Sequence, residues 1–340
     1  MTSVDSQANL NASRVAVIGA GISGLACAQA LNERGAKVTV YDKSRGAGGR
    51  MSTRRTAERF EFDHGCQYFN ATEVIFQKHV EHWHQLGIVE VWREPLGILG
   101  QGTFTETKEE VHRFVGVPTM SAICKHLAGR LDVHFNTEVN SLTRLDIKWQ
   151  LATNENSLGE YDAVIVSTPP QQAFQLVGDS SVISKEIVEH KMLPCWTVIV
   201  AFAEQTGLKF GGAKVSDSAL AWVANNSSKP KRKRSSEQWV LQASAEWSEA
   251  NIEADPDEVN SQLLEAFFTA TGLAPLKFQY LQAHRWRFAT PTTKAKQRFY
   301  CDDSQFLGLC GDWCGKPQVQ GAFLSGRDLA EHLINALAKS

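Results

Sequence analysis

The sequence predicts an α/β protein of two domains, and three observations predict it. The chain has 340 residues, and at roughly 150 residues per domain that is enough for two. Its opening segment runs strand, glycine turn, helix, strand. Its middle is a series of short strand-like segments, some with alternating apolar and polar positions, the pattern of half-buried antiparallel sheet. Hydrophobic residues make up 43% and charged residues 21%. That composition can fill a sizeable core and excludes a disordered chain, a collagen or a coiled coil. Lys plus Arg number 35 and Asp plus Glu 37, for a net charge of −2. No nucleic-acid partner is expected, because such a partner normally shows as a strongly basic domain.

The opening unit is the most specific signal. Arg14 to Ile18, "RVAVI", reads as a buried parallel strand and runs into Gly19-Ala20-Gly21-Ile22-Ser23-Gly24. A small-residue helix follows from Leu25 to Arg34, ended by Gly35, and a second strand from Lys37 to Tyr41 ends on Asp42. This G-x-G-x-x-G sits in a complete strand–turn–helix–strand–acid context, which marks a Rossmann-like dinucleotide-binding unit. Gly19 permits the tight turn. Gly21 lets a pyrophosphate approach the backbone, and Gly24 lets the helix pack close to the sheet. The helix N-terminus offers N–H groups to phosphate, and Asp42 can accept from a ribose hydroxyl.

The next segment, Lys43-Ser44-Arg45-Gly46-Ala47-Gly48-Gly49-Arg50-Met51, is too rich in glycine for a helix. It reads as a loop folding back towards the first glycine turn, with Arg50 offering a guanidinium to a phosphate oxygen. With "GAGISGL", Asp42 and "GGRM" in this order, the sequence resembles the FAD-dependent amine oxidase superfamily. Within it, the sequence resembles the renalase family, particularly its bacterial forms. "FDHGCQYF" (Phe62 to Phe69), "FVGVPTMSAICKHL" followed by "FNTEVNSL", "VIVSTPPQQ" and the tail "LGLCGDWCGKPQVQGAFLSGRDLAEHL" carry that narrower match, which spans Val15 to Leu333.

The resemblance implies a two-domain α/β (α+β) flavoprotein, with a Rossmann-like FAD/NAD(P)-binding domain and a substrate domain built on a mixed or antiparallel sheet. It implies FAD held by Gly19 to Gly24, Asp42, Lys43, Gly49, Arg50, His64, Gly65, the backbone of Val139, Thr168, Gly311 and Asp312. Gln320, Gly321 and Ala322 are implied at the flavin ring. They open an amphipathic helix, 319–338, with Leu324, Leu329, Leu333, Ile334 and Leu337 as its apolar positions. The N-terminus of such a helix favours negative charge.

Short strands are expected at 131–135, 138–145, 147–153, 161–167, 195–202, 220–225, 239–245, 276–287 and 306–309. Helices are expected at 72–86 and 255–270. The FAD domain is expected to be discontinuous, over 1–70, 116–180 and 290–340, with the substrate domain over 71–115 and 181–289.

Tyr68, Trp222, Trp239 and Trp286 are candidates for an aromatic substrate pocket, and His64, Gln67, His284 and Arg287 for its polar orienters. Trp286 stands just before the chain returns to the FAD domain, and binding sites favour such junctions. The run from Asn225 to Arg234 holds five cations, Lys229, Lys231, Arg232, Lys233 and Arg234. It reads either as a solvated hairpin tip or as a rim that attracts an anionic substrate. His79, His82 and His84 lack the further ligands of a metal site, and no metal is expected. The seven scattered cysteines suit reduced thiols. No apolar run reaches the ~18 residues of a membrane span, and Met1 to Ser13 lacks the apolar stretch of a signal peptide. The expected compartment is therefore the cytoplasm, with no membrane partner.

The renalase-like resemblance implies an oxidase of 2- or 6-dihydro-NAD(P), with a small dinucleotide substrate and O2 as partners and H2O2 as product. The alternative is a flavin amine oxidase or a desaturase on a lipid-like substrate, for which Lys294 and Lys296 lie in the right general region.

Overall fold

The computed structural model describes residues 10, 13–108, 111–178, 181–233, 236–292 and 297–339. The chain forms two compact units, each assembled from separated segments. The first comprises the described residues of Met1–Gly49, Cys124–Lys191 and Pro291–Ser340, and the second those of Arg50–Ile123 and Met192–Thr290.

The first unit is built on a six-stranded sheet. Its order is Phe299–Asp302, Leu307–Cys310, Ala163–Val166, Arg14–Ile18, Lys37–Tyr41 and Asp132–His134. The Arg14–Ile18 strand pairs in parallel with Lys37–Tyr41 on one side and Ala163–Val166 on the other. Only the Phe299–Asp302 edge runs antiparallel to its neighbour, Leu307–Cys310. Ala163, Val164, Ile165 and Val166 are all fully buried, the continuous apolar run of a parallel strand covered on both faces. A three-stranded antiparallel sheet, Ser141–Leu145, Lys148–Ala152 and Ser157–Tyr161, belongs to the same unit.

Two helices cross tightly beside the sheet, Ile22–Glu33 and Val319–Leu337. A Cβ at Gly326 would stand 2.0 Å from the Ser23 carbonyl oxygen, so only glycine allows that crossing. Leu324, Leu329, Leu333 and Ile334 of the last helix are buried, as its amphipathic pattern predicts.

The second unit is a seven-stranded, mainly antiparallel sheet. Its order is Phe278–Pro291, Met192–Phe202, Glu237–Ala243, Leu220–Asn225, Gly212–Val215, Leu96–Gly100 and Thr103–Glu106. Side chains alternate across a strand, so this sheet has two distinct faces. One carries Val198, Val200, Leu241 and Val223, and the helix Pro256–Thr271 packs onto it through Val259, Leu263 and Phe267. The opposite face carries Ile199, Ala201 and Val240, covered by Phe60 and Phe62.

The boundaries differ from the sequence expectation. Residues 50–70 and 116–123 lie in the second unit, and 181–191 in the first. The short Arg54–Arg55/Glu61–Phe62 hairpin explains the first shift. Phe60 and Phe62 pack on the second sheet, and the Glu61 backbone N–H donates to Gln238 Oε1 at 3.3 Å. The hairpin Leu96–Gly100/Thr103–Glu106 went unforeseen, since a glycine-rich stretch carries little periodic signal. Among the described residues no helix is long and apolar enough to cross a membrane.

Candidate functional site

In the first unit the two glycine loops meet. The Gly48 N–H donates to the Ala20 carbonyl at 2.9 Å, and a Cβ at Gly49 would lie 3.7 Å from Gly21 Cα. Gly19 takes φ +110°, and a Cβ there would stand 2.9 Å from the Ser167 carbonyl oxygen. Gly24 is closed in further, its Cβ position lying 2.2 Å from the Gly19 carbonyl oxygen. Gly21 is the exception: a Cβ there meets no atom within 4 Å. The cradle is thus tight at its first and third glycines and open at the second, at the N-cap of the Ile22–Glu33 helix. That is the arrangement a pyrophosphate needs.

Asp42 closes the strand beside it. One carboxylate oxygen accepts from the Ala20 N–H at 2.6 Å and the other from the Ser44 N–H at 2.7 Å. Each oxygen keeps a lone pair that a ribose hydroxyl could use. The Thr137 N–H donates to the Asp42 carbonyl at 3.0 Å, bringing the segment before buried Val139 alongside. Thr168 gives its carbonyl to the Trp313 indole at 3.0 Å, and its hydroxyl is buried with no hydrogen-bond partner among the described residues. Gly311 donates its N–H to Ser325 Oγ at 2.9 Å. Asp312, next in the chain, is buried, and Gln320, Gly321 and Ala322 are buried at the head of the last helix. These residues fit a dinucleotide, with open room at Gly21, free acceptor capacity at Asp42 and an orphaned hydroxyl at Thr168. Lys43 is less engaged, being half-exposed and paired with Glu138 at 3.5 Å.

Arg50, His64 and Gly65 belong to the second unit. Arg50 Nη1 donates to the Ala289 carbonyl at 2.9 Å. His64 packs its ring against His284 and Trp286, with centroids 4.8 and 4.9 Å away. The Trp286 indole N–H donates to the His64 carbonyl at 3.1 Å. Burial, reinforced by the positive charge that His284 can take and by Arg54, pushes His64 down to about 3. Burial and Arg54 bring His284 down to about 4. Both imidazoles are neutral near pH 7, and with Trp286 they form an uncharged aromatic wall whose rings meet edge to face or tilted.

Strand alternation sorts the other candidates. His284 and Trp286 share one face of the Phe278–Pro291 strand, and Arg285 and Arg287 take the other. Arg287 is therefore not an orienter beside Trp286: it pairs with Glu253 at 2.7 Å. Trp239 is likewise corrected to a core residue. It is fully buried on the helix-covered face, beside Phe210 and Phe267, and its indole donates to Glu237 at 2.8 Å. Trp222 stays on the opposite face, 5.8 Å from the Tyr68 ring, and Tyr68 also lies 6.2 Å from Trp92. The Trp222 indole nitrogen is buried without a partner among the described residues. Gln67 is no free orienter, since its amide donates to the Asp63 and Gly65 carbonyls at 2.5 and 3.0 Å.

The basic run holds a feature that sequence reasoning missed. Lys229 and Arg232 are neither a solvated tip nor a rim. Both are buried, and both pair with the fully buried Asp63, at 3.3 and 2.5 Å. Asp63 also accepts from Thr53 Oγ1 at 2.9 Å and the Met120 N–H at 3.0 Å. Burial alone would raise its pKa. The Lys229 and Arg232 charges outweigh that and hold it well below the usual carboxylate range. Lys229 is lowered by burial to about 8, against the pull of Asp63. Lys231 and Lys233 are exposed and pair with Glu90 and Glu61. Arg234, Lys294 and Lys296 lie outside the described residues. All seven cysteines are free thiols. Cys301, Asp303 and His332 bring ligand-type atoms within 4.8 Å of one another, with Asp303 and His332 paired to each other at 2.6 Å.

This fold and cradle define a dinucleotide-binding protein, and the chain belongs to the flavin-containing amine oxidoreductase family, whose model matches residues 99–334. A model for an NAD(P)-binding Rossmann-like domain matches residues 17–84. Flavin is the amine oxidoreductase family's cofactor, and FAD, a dinucleotide, fits the cradle described above. Renalase from Mus musculus is 29% identical over 181 residues, covering 49% of this chain and 50% of renalase. A bifunctional tRNA 5-methylaminomethyl-2-thiouridine biosynthesis protein from Magnetococcus marinus is 25% identical over 199 residues, 46% of this chain and 29% of that protein. The chain thus spans half the length or less of these relatives.

Among solved structures, a putative protoporphyrinogen oxidase from Exiguobacterium sp. 255-15 superposes with a TM-score of 0.78 at 12% identity, covering 96% of this chain and 100% of that one. Cyclohexylamine oxidase from Brevibacterium oxydans gives 0.71 at 12% identity, covering 95% and 99%. At such identities the likeness is one of fold.

Proposed function

We propose that the protein is an oxidase of isomeric dihydronicotinamide dinucleotides. It would return 2- or 6-dihydro-NAD(P) to NAD(P)+, with O2 and a proton consumed and H2O2 formed. Bound FAD supplies the hydride acceptor for this chemistry. The residues of Gly19 to Gly24, with Asp42, Gly49, Arg50, Val139, Thr168, Gly311 and Asp312, hold the cofactor in this reading. His64, Gly65 and Gln320 to Ala322 complete its surroundings, and Tyr68, Trp222, His284 and Trp286 serve the substrate.

The wall of His64, His284 and Trp286 is the observation that carries the reading. Its rings meet edge to face and tilted, and they offer aromatic, uncharged surface against which a flat ring can pack. Its imidazoles, at about 3 and about 4, are poor bases at pH 7. Loss of hydride from a dihydronicotinamide ring restores aromaticity and leaves no proton for a base to take. An amine arrives mostly as ammonium and must shed a proton first, for which this wall is ill suited. The likeness to renalase supports the same substrate class.

The amine oxidase reading draws on the family itself and on the solved amine oxidases of like fold. Anaerobic mixing of the yellow protein with 2- and 6-dihydro-NAD, primary amines and NADPH separates the two. Bleaching by the dihydro isomers alone is expected, and bleaching by amines alone would refute the proposal.

A further inference from the structure

We propose that Lys229 is a positioning residue for this site. It fixes the amide of Gln67 and, through it, the course of the 63–67 loop that carries His64. The assignment of His64 to the substrate wall rests on the reading above; the geometry of the loop does not.

Lys229 Nζ lies 3.0 Å from Gln67 Oε1. An ammonium can only donate, so the Gln67 atom facing it must be the carbonyl oxygen. The amide nitrogen is thereby turned the other way, towards two groups that only accept, the carbonyls of Asp63 and Gly65 at 2.5 and 3.0 Å. One side chain thus closes the curl of the loop on which His64 sits. Lys229 cannot swing away. It is fully buried, held by Asp63 Oδ2 at 3.3 Å and Asn226 Oδ1 at 3.4 Å, and stands 5.6 Å over the Trp92 ring.

The loop has little other freedom. The Gly65 carbonyl also accepts from Gln242 at 2.8 Å, and a Cβ at Gly65 would meet the Arg50 carbonyl oxygen at 2.1 Å and Trp286 at 3.3 Å. A buried cation is costly, and here one carboxylate serves two of them. An apolar side chain would fill the volume at less cost, but it would leave the Gln67 amide unoriented.

The test uses the FAD-loaded protein and two variants, Lys229→Met and the milder Gln67→Glu. The second keeps an acceptor for Lys229 and loses the donor to the carbonyls. Four quantities are read: the His64 imidazole resonances by NMR, kcat and KM with 6-dihydro-NAD, and Tm. In both variants the His64 resonances should move and kcat should fall by about tenfold or more, since misplacement of order 1 Å can cost up to about a hundredfold. Loss of Tm alone, with His64 resonances and kcat unchanged, overturns the proposal. If the unaltered protein oxidises no dihydronicotinamide yet the variants still move the His64 resonances, the substrate reading fails and the positioning role stands.

Discussion

Replacing Asp63 by Asn leaves the side-chain volume nearly unchanged and removes the carboxylate that, among the described residues, pairs with both Lys229 and Arg232. Removing one partner of a buried ion pair costs about 3–5 kcal/mol. The low end applies here. Lys229 keeps Gln67 and Asn226 as acceptors, and Arg232 keeps the Pro118 and Pro230 carbonyls. For a unit of roughly 170 residues, about 3 kcal/mol lowers Tm by roughly 6–12 °C.

The deficit should also depend on pH, in a definite direction. Lys229 already titrates near 8, below its ordinary value, because burial opposes its charge. Without Asp63 it falls further, and the folded state sheds that proton earlier while the unfolded chain keeps it. The stability lost in Asp63→Asn should therefore shrink as pH rises from about 6 to about 9. Calorimetric melts across that range provide the assay. A fall in Tm under about 2 °C, or a deficit that does not change with pH, would refute the account of this cluster.

Three further outcomes are expected. Gly21→Val should fold with an unchanged apoprotein Tm, because its side chain meets open space, and should lose the flavin; Gly24→Val, which drives a Cβ to 2.2 Å from the Gly19 carbonyl, should lose Tm as well. Absorbance of the purified proteins and thermal melts decide both. Lys231→Gln with Lys233→Gln, the exposed cations, should raise KM at low salt and leave it unchanged at high salt if they draw in an anionic substrate; an unchanged KM at low salt removes that role. His64 and His284 have folded values of about 3 and 4 against an ordinary 6.5. The unfolded state therefore binds more protons below about 6.5, and stability falls as pH drops towards 4. NMR should show neither imidazole titrating between about pH 5.5 and 8, and a titration near 6.5 would contradict their burial.

The nucleotide-binding half was legible because its signals are contiguous. The strands at 14–18 and 37–41 are where the sequence predicts them, and the second glycine loop does fold back on the first. The cation cluster was illegible for the opposite reason. Lys229 and Arg232 read as a surface charge run, and their partner Asp63 lies more than 160 residues earlier, a pairing no local pattern announces. The same long-range packing moved residues 50–70 into the second unit, since Phe60 and Phe62 find their partners on its sheet.

Arg287 and Trp239 are different, because the signal that separates them was in the sequence. Period-two alternation puts Arg287 opposite Trp286. It also puts Trp239 in step with Leu241 and Ala243 on the helix-covered face, away from Val240 and Gln242. Trp222 and Trp286 remain on the face where the 63–67 loop lies, as Gln242 shows by its bond to the Gly65 carbonyl.

Central to this account is the claim that hydride leaves a dihydronicotinamide ring beside a neutral aromatic wall. Single-turnover bleaching of the FAD-loaded protein by 6-dihydro-NAD, with and without deuterium at the reacting carbon, tests it most directly. The account predicts bleaching that deuterium slows, with NAD+ as the organic product. Absence of bleaching by either isomer, with bleaching by a primary amine, would contradict it.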